Sequence, residues 1–99
     1  MDERIDRLAR RGRKLRSHGE FRKAANAYGE LTSVSPEDPR WWVLLAATLH
    51  GARREAESAK ALRQALWLFR RAGEMTRYAS LTRWIRTNLD LAAAAAHAA

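Results

Sequence analysis

Apolar residues recur at helical spacing from Ile5 to Leu89, and the pattern is interrupted only at Gly19, at the two prolines Pro36 and Pro39, near Gly51 and at Gly73. Spacings of three and four bring side chains to one face of a helix, whereas a half-buried strand needs strict alternation. No Val/Ile/Thr-rich alternating run occurs, so the chain reads as all-α.

The stripes divide into five segments. Ile5, Leu8, Gly12 and Leu15 mark one face of a first helix, which Gly19 breaks. Phe21, Ala24, Ala25, Tyr28 and Leu31 mark a second, stopped at "SPEDP". Ser35 and Asp38 suit turns or caps there, and Pro39 suits the first turn of the next helix, where a missing N–H costs nothing. Trp42, Leu45 and Leu49 stripe a third helix ending near Gly51, and Ala56, Ala59, Leu62, Leu66 and Phe69 a fourth ending at Gly73. Met75, Tyr78, Leu81, Ile85 and Leu89 give the fifth. The closing "LAAAAAHAA" has high helix propensity and almost no instruction for packing. Connections this short predict antiparallel neighbours.

Ninety-nine residues suffice for one small domain with a modest core. There is no cysteine, hence no disulfide framework and no thiolate chemistry. The first sixteen residues lack the apolar core of a signal peptide, and no apolar run approaches the roughly 18 residues of a membrane span; the expected setting is cytoplasmic. The net charge of +8 favours an acidic partner without choosing among protein, nucleic acid and anionic lipid.

Catalytic constellations are not found. His18, His50 and His97 are scattered without metal-ligand spacing, and His18 suits a helix end. The serines lack a Gly-x-Ser-x-Gly setting. Glu55 and Glu57 are close in sequence but point to different sides of a helix. No Gly-rich phosphate loop is present. The expectation is a non-enzyme without cofactor or metal.

Leu8 and Trp42 lie 34 residues apart, as do Arg11 and Leu45, Gly12 and Ala46, and Leu15 and Leu49. A 34-residue helix–turn–helix period resembles the tetratricopeptide repeat, whose pattern runs Trp-x-x-Leu-Gly-x-x-Tyr, then Ala-x-x-x-Phe, then Pro. In the first unit these places hold Leu8, Arg11, Gly12, Leu15, Ala24, Tyr28 and Pro36. Gly12 and Ala24 let two helices approach, while Leu15 and Tyr28 fill the space around them. Arg11 stands where the family has leucine, as suits a terminal helix with one face in water. The second unit opens well with "WWVLLAATLHG", but placing Ala59 in register needs one extra residue in the turn, and no proline closes the unit. A third start at Tyr78, Leu81 and Ile85, 36 residues after the second, would be a lone closing helix over the last apolar face.

The resemblance covers residues 4 to 90. It implies antiparallel helical hairpins stacked as a short right-handed solenoid of five helices, one domain over 1–90 with an Ala-rich extension over 91–99. Similar repeats line their concave surface with the first helix of each hairpin. Carried over position by position, that frame presents Asp6, Ala9, Arg13 and Arg16, then Arg40, Val43, Ala47 and His50, then Thr76, Ala79, Arg83 and Arg86. The implied partner-binding set is Arg13, Arg16, Arg40, Val43, Ala47, His50, Arg83 and Arg86, a groove with basic ends and an apolar middle. Arginine forks bind carboxylates in bidentate fashion. Some family members clamp acidic C-terminal peptides with Lys and Asn at the places held here by Ala9 and Arg13.

The resemblance thus implies a non-catalytic adaptor or small chaperone that holds an acidic or amphipathic peptide or helix of a protein partner. The short tetratricopeptide-like chaperones of type III secretion are similar in size and architecture. With so few repeats, a partner helix or a second copy would complete the array. The alternative is a basic helical protein that binds nucleic acid through "RLARRGRKLR". Asp2, Glu3 and Asp6 beside that segment, and the lack of a helix-turn-helix or aromatic RNA motif, weigh against it. A membrane role is weaker, since the first helix offers only Ile5, Leu8 and Leu15. Trp42 has a core place in the repeat; Trp41, Trp67 and Trp84 are expected to pack in the core or between hairpins, an exposed hot spot being the other reading.

Overall fold

The structure, a computed structural model, describes residues 2–88. The expected extension over 91–99 and Leu89 of the fifth stripe lie outside them. The described chain is all-α: α1 (Glu3–Ser17), α2 (Phe21–Val34), α3 (Pro39–Gly51), α4 (Glu55–Arg71) and α5 (Met75–Thr87). Each helix packs on its neighbour in sequence, and the contact of α4 with α5 is the sparsest.

Two helices start on aspartate caps. Asp2 accepts the Arg4 N–H at 2.8 Å, and Asp38 accepts the Arg40 N–H at 3.0 Å. Each satisfies one of the free N–H groups at a helix start. Pro39 opens α3, where it displaces no hydrogen bond.

Three of the four connections share one turn. Gly19, Arg53 and Gly73 take positive φ of 76°, 62° and 73°. In each turn the next N–H donates back to a residue of the preceding helix: Glu20 to Leu15, Arg54 to Leu49, and Glu74 to Phe69, each at 2.9 Å. The turn residues themselves donate to Arg16, His50 and Arg70 at 3.0–3.1 Å. This paired bonding closes a helix C-terminus and normally favours glycine at the left-handed position. Arg53 occupies it without that freedom.

Gly19 and Arg53 lie 34 residues apart, which corrects the register expected for α4. No extra residue enters the α3–α4 turn. The counterpart of Ala24 is Ser58, not Ala59, and Ala56 is exposed. Ser58 is fully buried because its hydroxyl donates to the Ala46 carbonyl at 2.7 Å, joining α4 to α3. At the same offset, Gly12 and Tyr28 of the first helix pair correspond to Ala46 and Leu62 of the second. A Cβ on Gly12 would stand 2.8 Å from Tyr28 Cζ, so the glycine makes room for the ring.

Two apolar clusters result. One gathers Leu8, Ala24, Tyr28, Leu31 and Trp41 from α1, α2 and α3. The other gathers Ala46, Ala61, Leu62, Ala65, Phe69 and Leu81 from α3, α4 and α5. Leu45 packs against both and links them. Trp41, only 9% exposed, is the deeply buried tryptophan. Trp42 is half-buried; it packs on the second cluster and donates its indole N–H to the Pro36 carbonyl at 2.8 Å.

Candidate functional site

The stripe Tyr78, Leu81 and Ile85 seats α5 on the second cluster. That leaves the flank of α5 bearing Arg77, Ser80 and Trp84 turned toward α3, where the two helices do not close against each other. A cleft of about 220 Å³ lies between Val43 and Ala47 of α3 and Trp84 of α5, with Leu62 and Leu81 below. An open recess of about 440 Å³ shares Val43, Leu81 and Trp84 and runs along Phe69, Arg77 and Ser80. The groove is therefore apolar at its floor and walls, and Arg77 and Ser80 supply polar groups at its edge.

One end is fixed by His50. Its Nδ1 lies 2.9 and 3.0 Å from the two Glu55 carboxylate oxygens. A carboxylate only accepts, so Nδ1 carries the donated proton. This bond ties the last turn of α3 to the first turn of α4, where an acidic residue is also favoured by the helix dipole. The His50 ring meets Trp84 edge-on, with centroids 5.9 Å apart at 86°. Glu55 thus orients His50, and His50 braces the groove's tryptophan.

Of the residues expected on a partner surface, Val43 and Ala47 line this groove and His50 braces it. Arg40 is exposed but engaged: its Nη2 lies 2.7 Å from Asp38 Oδ2, and its guanidinium stacks 4.9 Å over Trp41. The hydrogen bond from Arg40 holds the Asp38 carboxyl below its ordinary range, and the same bond raises Arg40. Arg13 and Arg16 lie on α1, Arg13 exposed and Arg16 half-buried, and no α1 residue lines the groove. Arg83 and Arg86 are exposed on α5 but do not line it; Arg77, Ser80 and Trp84 do. The expected set Thr76, Ala79, Arg83 and Arg86 lies on a different flank of α5 from the one that lines this groove.

Leu62, Phe69, Arg77, Ser80, Leu81 and Trp84 were absent from the expected site. Arg77, Ser80, Leu81 and Trp84 carried a readable signal, a run at i, i+3, i+4 and i+7 that marks one helix flank. Leu62 and Phe69 carried none, being indistinguishable from core. Among the described residues no cluster of three His, Cys, Asp or Glu side chains is placed to hold a metal ion, and no helix is long and apolar enough to cross a membrane. The chain matches no family model, no curated protein and no solved structure.

Proposed function

We propose that this chain is a non-catalytic protein-interaction module of tetratricopeptide-like build, an adaptor or small chaperone that holds an acidic amphipathic helix or peptide of a protein partner. The observation that carries the reading is the groove between α3 and α5, apolar along Val43, Ala47, Leu62, Leu81 and Trp84 and edged by Arg77. Apolar side chains one helical turn apart would enter it, while a carboxylate beside them would meet Arg77 at its edge. A central tryptophan in an apolar recess is the usual anchor of such contacts. The tetratricopeptide part is supported by the shared turn at Gly19 and Arg53 and by the pairs Gly12/Tyr28 and Ala46/Leu62, all at a 34-residue offset.

The test is calorimetric titration with amphipathic helical peptides of one apolar pattern and opposite charge. The acidic series binds, the basic series does not, and Ala47→Asp abolishes binding while leaving helix content intact. Equal binding of both series, or binding that survives Ala47→Asp, refutes the proposal.

A further inference from the structure

The outer face of α4 is the second surface that asks for a partner. Trp67 is 51% exposed, and at 3.6 residues per turn it stands roughly half a turn from the buried Leu62, Ala65 and Phe69. An indole at the solvent pole of a helix contributes nothing to the core. Lys60, Arg63, Arg70 and Arg71 all fall within about 60° of it around the helix axis. Arg71 stacks on the ring, its guanidinium carbon 5.1 Å from the centroid.

No acidic residue occurs between Glu57 and Glu74, so this basic run has no carboxylate of its own. The flanking acids are turned elsewhere: Glu57 pairs with Arg54 and Glu74 with Arg77. Lys60 and Arg71 are separated by about 16 Å of helix, with the indole between them. A row of cations tracks phosphates, and an exposed aromatic ring stacks on a base of any identity; together they are the parts of a single-strand binding surface.

A lipid surface fits less well, because interfacial helices bury a continuous apolar face, and α4 has spent its own on the core. An acidic polypeptide would answer the charges but brings no planar base to the exposed indole beside Arg71. From this juxtaposition of Trp67 with Lys60, Arg63, Arg70 and Arg71, we infer that the outer face of α4 binds single-stranded nucleic acid, independently of the α3–α5 groove.

The experiment is fluorescence anisotropy of a labelled short oligothymidylate with the full chain across a salt series. Expected is binding at low salt, weakened about tenfold by Trp67→Ala, the loss of one stacked base, and largely kept by Trp67→Phe. Arg63→Gln with Arg71→Gln lowers the slope of log affinity against log salt by about 0.7 for each phosphate contact removed. Trp84→Ala, in the groove, leaves oligothymidylate binding unchanged. Circular dichroism of each variant confirms that α4 still folds, since Trp67 lies outside both clusters. No binding at low salt, the same affinity in Trp67→Ala, or equal affinity for polyglutamate or for phosphatidylserine vesicles overturns the inference.

Discussion

Gly12→Ala tests the close approach of α1 and α2. In an exposed helix this change would stabilise by about 1 kcal/mol, because alanine is the better helix former. Here the new methyl would meet Tyr28 Cζ at 2.8 Å and both Cε atoms at 3.0 Å. Ordinary carbon contacts lie at about 3.5–4.0 Å, so the ring must withdraw by most of an ångström. It has nowhere to go: Tyr28 is 2% exposed and packed among Leu8, Ala24, Leu31 and Trp41. Overpacking of this kind costs about 1–3 kcal/mol, which outweighs the propensity gain. A net loss of about 1 kcal/mol lowers Tm by roughly 4–8 °C in a domain of this size.

The second helix pair suggests the cure, since Ala46 and Leu62 stand at the corresponding places. Tyr28→Leu alone is destabilising, because it leaves a void beside Gly12. Added to Tyr28→Leu, however, Gly12→Ala should become favourable, since its methyl enters vacated space. Urea denaturation of the four proteins, followed by far-UV circular dichroism, yields the coupling, expected at about 1–3 kcal/mol. Gly12→Ala that stabilises the parent chain, or effects that add within about 0.5 kcal/mol, would refute the claim that Gly12 is there for the Tyr28 ring.

Arg53→Gly should raise stability by up to about 1 kcal/mol, since it relieves a side chain at φ 62°, whereas Gly73→Ala should lower it by a similar amount; thermal melts decide both. Asp38→Ala removes the α3 cap and the partner of Arg40, and should cost about 1 kcal/mol in urea denaturation. Because the folded Asp38 carboxyl sits below its ordinary range, its contribution is present above that range and is lost as pH falls through the folded value; the parent chain should therefore lose stability more steeply than Asp38→Ala below about pH 4. Trp84→Ala should open the groove and abolish its peptide binding with little change in Tm, because Trp84 is 36% exposed and lies outside the apolar clusters; a large loss of Tm would show that it is core.

The helices were legible because their ends are written in backbone chemistry. Gly19 and Gly73 supply the left-handed turn residues, and Asp38 with Pro39 supplies a start. Arg53 was not legible, since nothing in an arginine side chain announces a positive φ. Missing that turn displaced the small-residue place of α4 by one, from Ser58 to Ala59. Ser58 was hidden for a second reason: a serine reads as polar, and its burial depends on a carbonyl of another helix. The stripe of α5 was read correctly at Tyr78, Leu81 and Ile85, whereas Met75, expected on it, is exposed. The flank that lines the groove was not singled out, because periodicity shows which residues share a face, whereas the neighbour met by each flank depends on how two helices cross.

That crossing links the fold to the groove. α2 and α3 are each packed against helices on both sides, but α5 is seated mainly on α4, and sparsely. Tyr78, Leu81 and Ile85 seat it on the second cluster, while toward α3 it presents Arg77, Ser80 and Trp84. Tighter docking would bury Trp84 against Val43 and Ala47 and gain apolar contact, yet it would close the cleft. The bond of His50 to Glu55 holds the ring that props Trp84 in place. The groove thus joins a polar bond at the α3–α4 junction to its apolar floor. Glu55→Gln should accordingly weaken peptide binding more than it lowers stability, for the amide answers His50 with a weaker, uncharged bond and leaves both apolar clusters intact.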